Sequence, residues 1–141
     1  MNDIEVARVL LVDDNVTSRL TLKTVLEAGG YSVDAAASAA EAVDKLDERQ
    51  YELVLSDLQM ESPEAGLKVL AHARLMDYKP ATALVTTYQN RKMNVKKPVF
   101  VEPEDLPGLL SKVADLISQR AARIVERQMR RGSGFFSGPP G

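Results

Sequence analysis

The sequence contains no cysteine, which removes disulfides, thiol catalysis and thiolate metal sites together. It has no apolar run near the roughly 18 residues that would span a bilayer. Nor does one charge prevail: 18 Lys and Arg against 20 Asp and Glu give a net charge of -2. No global field therefore draws the chain to nucleic acid or an anionic membrane, and any such partner has to be recognised locally. Residues Met1 to Glu5 lack the charged and apolar regions of a signal peptide, so the cytoplasm is the expected location. No Gly-rich nucleotide loop and no helix-turn-helix pattern can be placed, and neither membrane nor direct nucleic-acid binding is expected. What is present is an ordinary soluble composition, 45% hydrophobic and 27% charged over 141 residues, enough for one domain with a full-sized core.

The chain is organised around Tyr51 to Met60, YELVLSDLQM. Leu53, Val54 and Leu55 read as a strand buried on both faces, the pattern of a parallel sheet covered by helices. The ligand crevice of such a sheet lies beyond the carboxyl ends of its strands, so Asp57, directly after the run, is the expected reacting group. A second run, Val9 to Val12, ends in Asp13 and Asp14 and delivers two more acids to the same edge. The spacing predicts a helix over Val16 to Ala28 with Val16, Leu20, Leu22, Val25 and Leu26 inward, stopped by Gly29-Gly30. A short strand follows at Tyr31 to Ala35. The capping box Ser38/Glu41 opens a helix over Ala39 to Glu48, with Ala42, Val43 and Leu46 inward. Ser62-Pro63 precedes a helix over Ala65 to Met76 carrying Leu67, Leu70, Ala71 and Leu75, and a strand at Ala81 to Thr86 comes next. The alternation predicts an α/β sheet wound with helices on both faces. It falters after Thr86. Met93 to Lys97 reads as the next strand, and the ten residues between Thr86 and Lys97 are too few for that strand and a crossover helix.

Three carboxylates gathered at one edge repel, and a hard divalent cation with oxygen ligands is the usual way to hold them together. Mg²⁺ fits best, because it prefers one or two carboxylates plus waters and a phosphate and can screen an incoming phosphoryl group. Asp57 would then attack that group to form an aspartyl phosphate. Blander readings exist for each partner: Asp13-Asp14 as a helix cap, Thr86 as a turn residue, Lys97 as surface charge. Their convergence with Asp57 weighs against those readings. His72, the only histidine, lies mid-helix with no acid expected to orient it and reads as a surface or boundary residue.

Over about Val6 to Ile117 the chain resembles a response-regulator receiver domain of bacterial two-component signalling. The resemblance rests on Asp13-Asp14, on Asp57 in LSDLQM followed by Gly66-Leu67, on Thr86 in LVTTY and on Lys97-Pro98 after a strand. It implies a flavodoxin-like, doubly wound, five-stranded parallel sheet in the order 2-1-3-4-5, an order for which a receiver is the standard illustration. It also implies that Asp14 and Asp57 coordinate Mg²⁺ directly, that Asp13 acts mainly through water, and that the backbone carbonyl of Gln59 is a further ligand. Lys97 and Thr86 would hold the phosphoryl oxygens. The implied donor is a histidine kinase or histidine phosphotransfer protein, and the implied output is contact with a partner protein that the sequence does not name. There are departures. Asp57 to Gly66 is one residue longer than usual, Glu61-Ser62 replaces a common proline, and the fourth crossover helix is missing or reduced. Asn94 replaces the usual switch aromatic, so Tyr88 is the nearest substitute, and residues Thr87 to Asn94 are expected to be an irregular loop that orders on phosphorylation.

After Pro103 a long helix is predicted from Pro107 to Arg131, roughly 38 Å and longer than one covering helix needs to be. The expected organisation is a receiver over 1–118, an overhanging helical extension over 119–131, and a flexible tail over 132–141. Ile124, Val125 and Met129 continue an apolar stripe onto the overhang and predict a homodimer. Arg120, Arg123, Arg127, Arg130 and Arg131 make the same end basic, a charge that also suits the helix C-terminus. Two rival functions remain. One is a receiver-like dimerisation scaffold that is never phosphorylated. The other is an aspartyl-phosphate phosphatase or phosphotransferase, against which Gln59 stands where such enzymes of the haloacid dehalogenase type carry a second acid. No enzymatic activity of its own is expected.

Overall fold

Runs of Val and Leu with no polar interruption cannot face water on either side, and here they become the strands of a parallel sheet with helices on both faces. The computed structural model describes residues 6–57, 60–62, 64–85, 100–101 and 106–136. The elements are β1 (Arg8–Val12), α1 (Val16–Ala28), β2 (Ser32–Ala36), α2 (Ala39–Glu48), β3 (Leu53–Asp57), α3 (Ala65–Arg74), β4 (Ala81–Val85), β5 (Phe100–Val101) and α4 (Leu106–Phe136). Four five-residue strands lie parallel in the order β2-β1-β3-β4. The fifth position is held by only two residues, pairing Leu84 with Phe100 and Val85 with Val101. The predicted last strand, 93–97, lies outside the described residues, and the strand that is seen comes after Lys97-Pro98 rather than ending on it.

Alternate residues of β1, β3 and β4 serve two separate cores. Val9, Leu11, Leu53, Leu55, Ala83 and Val85 pack with Leu22 and Leu26 of α1 and Leu109, Val113 and Leu116 of α4. Leu10, Val12, Val54 and Leu84 pack on the other face with Ala42 and Leu46 of α2 and Val69, Leu70 and Ala73 of α3. Leu10 and Leu11 are both fully buried, so shortening either to alanine should cost about 2–5 kcal/mol.

The caps explain where the helices begin. Asn15, not Asp13 or Asp14, caps α1 by accepting from the Ser18 backbone N–H at 2.9 Å. Ser38 caps α2 by accepting from Glu41 N at 3.1 Å, and the Glu41 carboxylate accepts from Ala37 N at 2.8 Å, so the capping box forms one residue wider than its usual geometry. After the C-cap Gly29, Gly30 adopts φ +99, a conformation for which a side chain would be strained.

Several inward positions were mis-phased. Val16 and Leu20 are more than half exposed, because the buried face of α1 runs through Leu22 and Leu26. On α3 the buried set is Ala65, Gly66, Val69, Leu70 and Ala73; the helix stops at Arg74, which turns Leu75 out to 73% exposure. His72 does have an acid partner: its Nε2 lies 2.8 Å from Asp47 Oδ1, joining α3 to α2. That contact spans elements far apart in sequence, where local spacing gives no signal. The long helix continues to Phe136 instead of ending at Arg131, so residues 132–136, expected as flexible tail, are helical. Adding residues to an existing helix gains one hydrogen bond for each residue fixed and needs no new nucleus.

Candidate functional site

The strand register brings the acids together. Val12 of β1 is level with Ser56 of β3, so the next residues of the two strands, Asp13 and Asp57, leave the sheet side by side at its carboxyl edge. Asp14 follows in the loop that leads to Asn15 and α1. Asp13, Asp14 and Asp57 each offer a carboxylate oxygen, and these oxygens lie within 4.8 Å of one another. The three are graded in exposure: Asp13 is buried at 1%, Asp57 is half-buried and Asp14 is open to solvent. The donors are all hard oxygens converging on one point, a set that suits Mg²⁺ or Ca²⁺ and not a soft metal.

Asp13 is fixed by the start of α1. One of its carboxylate oxygens accepts from Asn15 N at 2.9 Å and the other from the Ser18 hydroxyl. Its backbone carbonyl accepts from Arg19 Nη1 at 2.8 Å, and its own N–H donates to Ala36 O at 3.0 Å. A buried carboxylate so satisfied is a rigid wall of the pocket. The opposite wall is α3, whose first turn presses on the end of β3: a Cβ at Gly66 would stand 2.5 Å from the backbone oxygen of Asp57. Glycine is thus what lets α3 lie this close. In the β3–α3 loop the Glu61 carboxylate accepts from Ala39 N at 3.1 Å, at the positive end of α2.

Among the described residues two titrations are displaced, both away from the pocket. Burial pushes the Tyr51 hydroxyl well above the usual tyrosine range, reinforced by its 2.8 Å hydrogen bond to Asp34. Tyr78 is raised by burial and then by the nearby charge of Asp47, and it donates to Leu46 O at 3.0 Å.

The family description that matches residues 9–99 is the response regulator receiver domain. The chain belongs to that family. Among curated relatives, this receiver is 37% identical over 78 residues to the gliding motility regulatory protein of Myxococcus xanthus, an overlap of 55% of this chain and 10% of that one. It is 31% identical over 84 residues to probable histidine kinase 1 of Oryza sativa subsp. indica, covering 60% of this chain and 7% of the kinase. The receiver thus spans a tenth or less of those relatives' length. Among solved structures, a CheY-like response regulator receiver domain protein from Methanospirillum hungatei JF-1 superimposes with a TM-score of 0.72 at 25% identity, over 84% of this chain and 99% of that one. These relationships make the chain a signalling receiver of two-component systems.

Of the residues anticipated from sequence, the structure brings Asp13, Asp14 and Asp57 together. Gln59, Thr86, Tyr88 and Lys97, with the loop Thr87 to Asn94, lie outside the described residues. On α4, Val125 and Met129 are exposed at 51% and 66%, and Ile124 is half-buried. Sequence reasoning missed Asn15, Ser18 and Arg19. The spacing Asn15-x-x-Ser18 was a readable helix-cap signal, but nothing local says that the Ser18 hydroxyl reaches back to Asp13. Among the described residues, no helix is long and apolar enough to cross a membrane.

Proposed function

We propose that this receiver accepts a phosphoryl group on Asp57 from a histidine kinase or histidine phosphotransfer protein and signals through contacts with a partner protein. The observation that carries the reading is the convergence of the Asp13, Asp14 and Asp57 oxygens within 4.8 Å, at the strand edge where such folds bind their ligands. Asp14, Asp57 and the Gln59 carbonyl would hold Mg²⁺, with Asp13 acting through water, and the bound cation would supply screening between the carboxylates and the incoming phosphoryl group. A carboxylate oxygen of Asp57 attacks phosphorus as the bond to the donor nitrogen breaks, and the donor's histidine leaves. Thr86 and Lys97 hold the phosphoryl oxygens. Asp13, locked by Ser18 and Asn15, keeps the pocket's floor in place while Asp57 changes charge and bulk.

In this reading the chain is a switch in the cytoplasm and not an enzyme. The residues between Thr86 and Lys97, with Tyr88 among them, order when phosphate draws on both ends of the segment. Hydrogen exchange with and without a phosphoryl mimic should then show the largest rise in protection there; a response confined to α4 contradicts this. The receiver is also a homodimer through the end of α4 that carries Ile124, Val125 and Met129, since an exposed apolar stripe usually meets a partner. The donor is tested with purified histidine kinases labelled on their own histidine. Label should pass to the receiver only with Mg²⁺ present and not to Asp57→Asn; equal labelling of that variant refutes the assignment.

A further inference from the structure

Away from the acid pocket, the opposite edge of the sheet carries two clefts of opposite charge that share one turn. Arg74, Lys79, Arg120, Arg123 and Arg127 line a cleft of about 290 Å³ where α4 passes the α3–β4 turn, and no carboxylate lines it. Arg120 is committed to the fold, donating to Lys79 O at 3.0 Å and Tyr78 O at 2.7 Å. The side chains of Arg74, Arg123 and Arg127 have no acidic partner among the described residues. Five cations around one unanswered cleft repel one another and call for an anion. On the other side of Tyr78, between the ends of α2 and α3, a second cleft of about 410 Å³ is lined by Asp47, Glu48 and Asp77 together with the exposed Leu75. Its one lining cation, Arg49, is already 3.6 Å from Asp34. Glu48 and Asp77 have no basic partner among the described residues.

The helix cannot close this pair within one chain. α4 packs on the α1 side of the sheet, whereas the acidic cleft opens on the α2 and α3 side. Beyond Arg120 the helix continues to Phe136, roughly 24 Å of overhang, with Val125 and Met129 exposed beside the arginines. The imbalance recurs along the sequence. Residues 106–141 hold six basic and two acidic residues, net +4, leaving twelve basic and eighteen acidic in 1–105, net -6.

We infer that two copies of the chain associate two-fold, the arginine-lined overhang of each α4 lying across the Glu48/Asp77 cleft of the other. Such an interface is isologous, so each surface is satisfied once by its complement and the assembly closes at two. Exposed Leu75 gives Val125 and Met129 an apolar counterpart, and arginine is suited to bidentate pairing with the facing carboxylates. Two helical footprints of roughly 24 by 10 Å, counted on both surfaces, come to about 1,000 Å², the lower limit for a specific interface. The inference rests on the homodimer proposed above and names the surface that receives the helix.

Charge reversal separates the two claims, measured by sedimentation equilibrium of the full chain at tens of micromolar and low salt, with circular dichroism to confirm folding. The wild type sediments as a dimer. Arg123→Glu/Arg127→Glu and, separately, Glu48→Arg/Asp77→Arg each weaken association by more than about tenfold, the scale expected for facing like charges. All of these positions are exposed, so the fold is retained. Combining the four reversals restores the dimer, because each facing pair again has opposite signs. If Glu48→Arg/Asp77→Arg dimerises as the wild type does, or the combination stays monomeric, the cleft is not the receiving surface, although the homodimer stands. A wild-type monomer overturns both.

Discussion

Gly66→Ala tests how closely α3 must approach the phosphoacceptor strand. The new methyl carbon would stand 2.5 Å from the backbone oxygen of Asp57 and 3.3 Å from Ser56 Oγ, whereas such contacts do not fall below 3.0 Å. The first turn of α3 therefore has to retreat by about half an ångström, and the opposing atom is backbone, not a side chain that could swing aside. Retreat loosens Ala65, Val69 and Leu70, all buried against the sheet. Overpacking of this kind costs about 1–3 kcal/mol. Replacing a helical glycine returns up to ~1 kcal/mol, less in a first turn. The net loss is about 1–2 kcal/mol, or roughly 3–8 °C in the thermal midpoint of a domain this size. Because the displaced backbone carries Asp57, the rate of phosphorylation by a small phosphoryl donor should fall along with stability. Thermal melts followed by circular dichroism, paired with phosphorylation time courses, read both effects. A variant with wild-type midpoint and wild-type rate would show that the close approach does not matter.

Ser18→Ala removes the hydroxyl that satisfies buried Asp13, a loss of about 1–3 kcal/mol when a buried acceptor is stranded. Melts with a chelator and with Mg²⁺ should differ more in this variant than in the wild type, since the cation can answer the freed oxygen. An unchanged difference speaks against a role for Ser18 in the pocket. Tyr51 makes stability depend on pH at the alkaline end. Its raised pKa means that the folded state holds the phenol proton more tightly. The contribution is therefore complete below the ordinary value of about 10 and is lost as pH rises from there toward the folded value. Denaturant titrations of Tyr51→Phe should show a flatter decline above about pH 10 and, at neutral pH, a loss of ~1 kcal/mol from the missing bond to Asp34. A decline as steep as in the wild type would place the alkaline sensitivity elsewhere, Tyr78 being the next candidate.

The strands were legible because doubly buried runs such as Val9 to Val12 and Leu53 to Leu55 have few other readings, and because acids directly after such runs can only emerge at one edge. The Ser38/Glu41 box and Gly29-Gly30 set helix boundaries by local chemistry and were legible for the same reason. What stayed hidden depends on tertiary contact. The inward face of α1 could not be phased, since Val16 and Leu20 satisfy the same spacing as Leu22 and Leu26. The partnership of His72 with Asp47 and the reach of Ser18 to Asp13 join groups whose nearness is made by folding. The arginines along α4, among them Arg123 and Arg127, were visible as a basic stripe. The acidic cleft proposed to receive them is assembled from the ends of two helices and has no sequence signature.

The most direct test of the account is to incubate the wild type, Asp57→Asn and Asp14→Asn with a small phosphoryl donor, with Mg²⁺ or with a strong chelator, and to map the modified residue by mass spectrometry. The expected result is a single phosphoryl group on Asp57 of the wild type with Mg²⁺, sharply slower reaction for Asp14→Asn, and none for Asp57→Asn or in chelator. Undiminished phosphorylation of Asp57→Asn, or of the wild type without a divalent cation, would contradict it.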